Sequence, residues 1–288
     1  MERIDNIRKN IYHQYNEQYL ESILKTFSSQ NLDFSHFDIQ NRNISKLLNY
    51  FFEDLIFQAK SKNGKYSPQE IIDSDELLCI ALNYIDNHSN FYQKKSDVAN
   101  LRSFFFHSSM VGKVNNFNPV IARKIFERYI PFSNATIFDY SCGFGSRLLG
   151  ALSSPYHYQY IGVDPYKELY IRLLHFSKWI LQVLKNDNVP LLYNLGSEIF
   201  LSSLVDTVDL SFSSPPYFNY ETYTNSNTQS YIQYNSYKKW LRFYVTKTIH
   251  NIFQYTKYGG YHLVNLEDTK RIHIIDDWIN IALEEGFL

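Results

Sequence analysis

ATIFDYSCGFGSRLLGAL, Ala135–Leu152, is the stretch from which the fold can be read. Its start, ATIFDYS, is a short apolar run with the pattern of a buried strand, and its end, SRLLGAL, repeats apolar residues at helical spacing. Between them stand Gly143 and Gly145, where a missing Cβ lets main-chain amides approach a ligand closely before the helix begins. Gly-x-Gly alone is a weak signal. Its position between strand and helix is what gives it meaning.

Downstream, the alternation continues. YQYIGVDPY (158–166), VPLLYNLGS (189–197), TVDLSFSSPPY (207–217) and GGYHLVNLED (259–268) read as further strands. The helical patterns KELYIRLLHFSKWILQVLKN (167–186), YKKWLRFYVTKTIHNIFQYT (237–256) and RIHIIDDWINIALEEGF (271–287) lie between or after them. Strands separated by helices predict a mainly parallel α/β sheet, whose ligands gather at the carboxyl ends of the strands. Asp164 ends the second strand, at the spacing of about 20 residues where a carboxylate accepts hydrogen bonds from ribose hydroxyls. A nucleoside-containing cofactor is implied, with Asp139, Ser141, Gly143, Gly145 and Asp164 as its contacts. Leu148 stands where a dinucleotide fingerprint expects another glycine, which disfavours NAD and FAD. Ser197 and Glu198 follow the third strand, where a polar side chain can read an adenine edge.

The fourth strand ends in Ser214-Pro215-Pro216-Tyr217. Two adjacent prolines donate no ladder hydrogen bonds and cannot continue a central strand. The polar loop FNYETYTNSNTQSYIQYNSY (218–237) follows, without apolar periodicity, and reads as a mobile lid. No acidic residue lies between Glu221 and Glu267, while Lys238, Lys239, Arg242, Lys247 and Lys257 do. This locally basic surface is a candidate phosphate contact, and it can equally be a solvated helix face.

The first half reads as helical, from YLESILKTF, ISKLLNYFFEDLIFQA and SDELLCIALNYIDNH. Ser67-Pro68-Gln69-Glu70 has the form of a capped helix start, and MVGKVNNFNP (110–119) is the candidate junction. The expected organisation is thus a helical domain over 1–114 and an α/β domain over 115–288. With 288 residues, 44% hydrophobic and 20% charged, the chain reads as soluble and globular. Every apolar run is interrupted well short of the roughly 18 residues a membrane span needs, and the start lacks a signal peptide's apolar middle, so the cytoplasm is the default compartment. A net charge of −1 excludes nucleic-acid binding by bulk electrostatics. The only cysteines, Cys79 and Cys142, make neither a zinc knuckle nor a disulfide framework, so no metal is expected.

Taken together, NNFNPVIARKIF, FDYSCGFGSRLLGAL, YIGVDP and SPPY resemble the class I S-adenosylmethionine-dependent amino-methyltransferases that act on the exocyclic nitrogen of cytosine or adenine in DNA. The resemblance covers roughly Asn115 to Phe287 and implies a Rossmann-like methyltransferase sheet that binds S-adenosylmethionine. Phe117, Asn118 and Pro119 would cover the methionine end of that cofactor. Ser214 and the Pro215 carbonyl would accept the hydrogens of the target amine, Pro216 would stiffen the turn, and Tyr217 and Phe218 would contact the base. Lys238, Lys239 and Arg242 would touch phosphates of double-stranded DNA with a flipped base, or of single-stranded DNA. Cys142 reads as a small packing residue, against cysteine-dependent carbon methylation. Family members beginning this motif with Ser mostly modify N4 of cytosine, which favours cytosine over N6 of adenine.

The order of motifs excludes the family's circularly permuted branch, and no compact recognition domain fits between them. Target recognition is therefore expected in the helical half, in the 218–237 loop or on a protein partner bound through the helical half. The resemblance implies two more strands after Gly286, so a truncated chain or a minimal form is expected. Two rival classes stay open: methyl transfer to RNA, a nucleotide or a protein amide, and a non-catalytic module on a cofactor fold.

Overall fold

The computed structural model describes residues 2–32, 43–94, 96–269 and 272–288. The first residue of the 271–287 helical pattern, Arg271, lies outside them. The seven strands of the described residues are β1 (Lys60–Ser61), β2 (Thr136–Asp139), β3 (Gln159–Val163), β4 (Leu191–Tyr193), β5 (Val208–Ser213), β6 (Glu221–Thr222) and β7 (Thr256–Val264). Two compact units form, one of Met1–Gln14, Phe52–Asn115 and Tyr220–Thr224, the other of Tyr15–Phe51, Asn116–Asn219 and Asn225–Leu288. This differs from a single boundary at 114/115 in two places. Residues 15–51 fold with the α/β unit, and 220–224 fold with the helical one.

In the helical unit, Ile7, Ile71, Leu78, Leu82, Leu101 and Phe104 form one buried cluster. Ser67 caps the helix Pro68–Asp73 reciprocally: its hydroxyl accepts from Glu70 N at 3.1 Å, and the Glu70 carboxylate accepts from Ser67 N at 2.6 Å. This unit also holds a two-stranded ribbon, β1 paired antiparallel with β6. Within the segment after the Pro-Pro motif, Glu221–Thr222 is therefore a strand.

The α/β unit is built on a five-stranded sheet in the order β4-β3-β2-β5-β7, with every pairing parallel. The chain adds β3 and β4 on one side of β2, then β5 and β7 on the other. Strand order thus reverses at β2, and a ligand crevice is expected outside the carboxyl ends of β2 and β5. Helix Glu17–Ser29 belongs to this unit because Arg123, itself buried, reaches the carbonyls of Phe27 and Gln30. Phe51 packs on Phe176 with ring centroids 4.8 Å apart, and its carbonyl accepts from Arg172 at 2.8 Å.

The helical pattern 237–256 is interrupted. Tyr237–Trp240 is followed by a π-turn over Leu241–Val245 and then by helix Thr246–Tyr255. The extra residue in the turn lets Trp240, Tyr244, Val245 and Ile249 all enter one core. No helix among the described residues is long and apolar enough to cross a membrane.

One partly buried histidine makes this sheet sensitive to acid. Trp278 Nε1–H donates to His262 Nε2 at 3.1 Å, so the ring proton sits on Nδ1 and faces the Ser211 hydroxyl at 2.9 Å. Burial pulls the His262 pKa down to about 4. A folded-state pKa below the unfolded value means that the unfolded chain takes up the proton first, so stability falls as pH drops from about 6.5 toward 4. At about 1.4 kcal/mol per unit, the loss by pH 4.5 is on the order of 2–3 kcal/mol. Urea unfolding at pH 7 and pH 4.5 should show this extra loss in the wild type and not in His262→Gln. Equal losses in both would remove His262 as the cause.

Candidate active site

Gly143 and Gly145 both take positive φ, 52° and 75°, yet for different reasons. A Cβ on Gly145 would press on Phe176 and Leu173 at 3.1 and 3.2 Å, so this glycine admits the helix Lys167–Leu184. A Cβ on Gly143 would meet nothing closer than Ser141 O at 3.9 Å. Space for a ligand against the main chain is therefore at Gly143.

Asp164 closes that space. Its carboxylate accepts from Gly143 N at 3.1 Å and from Tyr166 N at 3.0 Å. A carboxylate has about four acceptor positions, so roughly two remain for a diol. Burial pushes the carboxyl up to about 6, against the pull of those two amides. Ribose hydroxyls donate to the ionised form, so affinity for an adenosyl ligand should decline as pH falls below about 6. In Asp164→Ala, calorimetry should show binding weakened by about 1.5–3 kcal/mol at pH 7.5. Unchanged affinity in the folded variant would take Asp164 out of the site.

Asp139, expected as a ligand contact, has no capacity left for one. It is fully buried, and its oxygens accept from Ser213 Oγ at 2.7 Å, Ser141 N at 3.3 Å, Arg147 Nε at 2.8 Å and Tyr160 Oη at 2.6 Å. It fixes the loop from within. Ser141 contributes its carbonyl to the same network, accepting from Arg147 and from Ser213 Oγ. Cys142 is buried beside it, and burial drives its thiol well above the ordinary range, as suits a packing residue.

After β4, the two expected residues part company. Ser197 is buried and bonded within the unit: its hydroxyl meets Thr248 Oγ1 at 2.8 Å, and its carbonyl accepts from Asn251 at 2.9 Å. Glu198 offers more. One oxygen accepts from Tyr234 Oη at 3.3 Å, and the other, Oε2, is buried with no partner. Burial raises its carboxyl, and an amino group is the donor that this oxygen lacks. The segment Phe117-Asn118-Pro119 leads into the helix Pro119–Tyr129. Asn118 caps helix Pro119–Tyr129 by accepting from Val120 N at 2.8 Å, and Phe117 packs edge-on against Phe212.

Ser213 Oγ, bound to Asp139, brings the end of β5 against the glycine loop, and Ser214 is the next residue. Pro215 is buried, and Ser214, Pro216 and Tyr217 are half-buried. The Ser214 hydroxyl accepts from Asn265 Nδ2 at 2.8 Å, and Tyr217 Oη donates to Asn265 O at 3.1 Å. Phe218, expected at the base, instead takes a left-handed φ of 54° and packs into the core against Tyr237 and Trp240. Lys238, Lys239 and Arg242 are exposed on the short helix and the π-turn, with Arg242 stacked 5.2 Å over Phe243. The 218–237 segment departs from the expected lid. Gln229 and Ser230 are buried, and Ser230 Oγ accepts from Trp240 Nε1 at 3.0 Å.

Two residues that join the site escaped the sequence reading, Asn265 and Tyr234. Asn265 follows the last strand of the sheet, the same kind of position that singled out Asp164 and Ser214.

No family model and no curated protein matches this sequence. Among solved structures the chain is similar to the [4+2]-cyclase SpnF, at 11% identity and TM-score 0.41 over 58% of this chain and 57% of that one. It is similar to a TehB-like SAM-dependent methyltransferase from Corynebacterium glutamicum at 13% identity and TM-score 0.39, over 73% of this chain and 84% of that one. It is also similar to a geranyl diphosphate C-methyltransferase from Streptomyces coelicolor A3(2) at 10% identity and TM-score 0.38, over 85% and 79% of the two chains. The chain thus spans little more than half the length of the first of these.

Proposed function

We propose that this protein is an S-adenosylmethionine-dependent methyltransferase acting on an exocyclic amino group of a DNA base. The observation that carries this reading is the junction made by Ser213 and Asp139. It sets Ser214-Pro215-Pro216-Tyr217, at the end of β5, beside a glycine loop that has open space at Gly143 and is bonded to the Asp164 carboxylate. The residues present fit an adenosyl group: Asp164 retains acceptor capacity for the ribose, and Glu198 Oε2 lacks a donor. When bound, S-adenosylmethionine supplies an electrophilic sulfonium methyl.

The chain's own part is to prepare the nucleophile. An exocyclic amine is a weak one because its lone pair is delocalised into the ring. Ser214 Oγ and the Pro215 carbonyl accept its hydrogens, and the prolines contribute no competing donors. The Tyr217 ring stacks on the base and offsets part of the few kcal/mol lost on unstacking it from a duplex. Holding amine and methyl in line supplies much of the remaining acceleration. Lys238, Lys239 and Arg242 are the cations assigned to phosphates.

Cytosine N4 is the favoured target. DNA incubated with protein and tritiated cofactor, then digested and resolved by mass spectrometry, should yield N4-methylcytosine. N6-methyladenine as sole product would overturn the choice of base, and 5-methylcytosine would overturn the mechanism. Label appearing only in RNA or protein would favour the rival acceptors. Cofactor binding without transfer to DNA, RNA or protein would favour a non-catalytic module.

A further inference from the structure

Asn265 holds the two working side chains of the Pro-Pro motif at once. Its main-chain N donates to Ser213 O at 2.9 Å, extending the β5–β7 pairing by one residue beyond Val264. Its side-chain nitrogen lies 2.8 Å from Ser214 Oγ and 3.1 Å from Tyr217 Oη, and its carbonyl lies 3.1 Å from the same Tyr217 oxygen.

Hydrogen counting orients the amide. Tyr217 has one hydroxyl hydrogen, and it is used on the Asn265 main-chain carbonyl. The Asn265 side-chain atom facing that oxygen must therefore donate, which makes it the NH2 and not the carbonyl oxygen. One amide hydrogen goes to Tyr217 Oη and the other to Ser214 Oγ. Ser214 thus receives a hydrogen bond from within the protein, and its own proton is directed elsewhere. One lone pair of Oγ remains for an incoming donor.

We infer that Asn265 is a positioning residue. It fixes the rotamer of the Ser214 hydroxyl and the plane of the Tyr217 ring, so that the remaining Oγ lone pair and the ring face meet one target base. This inference rests on the methyltransferase reading. It adds a residue that acts through Ser214 and Tyr217 without touching the cofactor.

The informative variant is Asn265→Asp, which keeps the side chain's size and every main-chain hydrogen bond. A carboxylate cannot donate, so the Ser214 hydroxyl must turn to donate to it and spends its proton on the protein, while the Tyr217 oxygen loses the donor the amide gave it. Asn265→Ala removes both side-chain bonds, to Ser214 Oγ and to Tyr217 Oη, and leaves the main-chain carbonyl that accepts from Tyr217. In both variants, thermal midpoint and cofactor affinity should stay near wild type, while kcat at saturating DNA falls at least about tenfold, or about 1.4 kcal/mol of barrier. A purely structural role would lower the midpoint and leave kcat of the folded fraction unchanged.

Crystal structures of the variants give a readout independent of turnover. The Ser214 χ1 angle and the Tyr217 ring should move in Asn265→Ala. Wild-type transfer together with Asn265→Asp kcat within about twofold of wild type would overturn the positioning role and leave the methyltransferase reading standing. Unmoved Ser214 and Tyr217 in Asn265→Ala would overturn it whatever the activity. A wild type that binds no cofactor and transfers no methyl would overturn both.

Discussion

Asp139→Ala is expected to lower the stability of the α/β unit by about 3–5 kcal/mol, the cost of removing one partner from a buried ion pair. Arg147 is 4% exposed, with its Nε 2.8 Å from the Asp139 carboxylate. Burial works against the guanidinium's charge, yet Asp139 and Tyr160 hold its pKa above the ordinary value. With the carboxylate gone, that charge has no counterion, and Tyr160 Oη and Ser213 Oγ each lose a buried acceptor. A domain of ordinary stability has only about 5–15 kcal/mol in total, so the variant should unfold at markedly lower urea. Asp139→Asn should cost less, because its amide oxygen still accepts from Tyr160 or Ser213, while Arg147 remains uncompensated. Midpoints of Asp139→Ala within about 1 kcal/mol of wild type would show that the network contributes little and that Asp139 is free to serve a ligand.

That expectation reverses the role the sequence suggested for Asp139, and the reason is physical. Sequence order places an acid at the end of β2, but it does not say which way the side chain turns. Arg147 and Tyr160 arrive from the next helix and the next strand, and these long-range partners point the carboxylate inward. Asp164, at the end of β3, accepts from main-chain amides of Gly143 and Tyr166 and keeps acceptor capacity for a ligand. The parallel sheet was readable because apolar runs and helical spacing are local. The division of the chain was not. An amphipathic helix such as Glu17–Ser29 carries no mark of the surface that will bury it, and here Arg123 of the α/β unit bonds its last carbonyls. The 218–237 segment hides its partners for a similar reason. Polar composition predicts exposure, yet Glu221–Thr222 pairs with the distant strand Lys60–Ser61, a partner no local pattern reveals. Phe218 looked like a base contact from its place beside Tyr217, but a left-handed main chain swings it into the core.

Ser214→Ala is expected to reduce kcat by about a hundredfold while cofactor affinity and fold are kept. The hydroxyl is half-buried and its one bond among the described residues is the one accepted from Asn265 at 2.8 Å, so its loss leaves that exposed amide to water and costs little stability. Activity is another matter. A preorganised hydrogen-bond partner aimed at developing charge is worth about 10²–10³ in rate when removed. Here the charge develops on the amine as its lone pair turns from the ring to the methyl, and an acceptor on N–H stabilises it. The Pro215 carbonyl remains, so activity should fall without vanishing. Ser214→Asn restores a side-chain oxygen at greater reach and should recover part of the loss, with any shift in product from N4-methylcytosine toward N6-methyladenine reporting the changed distance. Single-turnover transfer measured on both variants separates the outcomes. Ser214→Ala turning over at the wild-type rate would show that the hydroxyl accepts nothing from the substrate, and the amine would then depend on the Pro215 carbonyl alone.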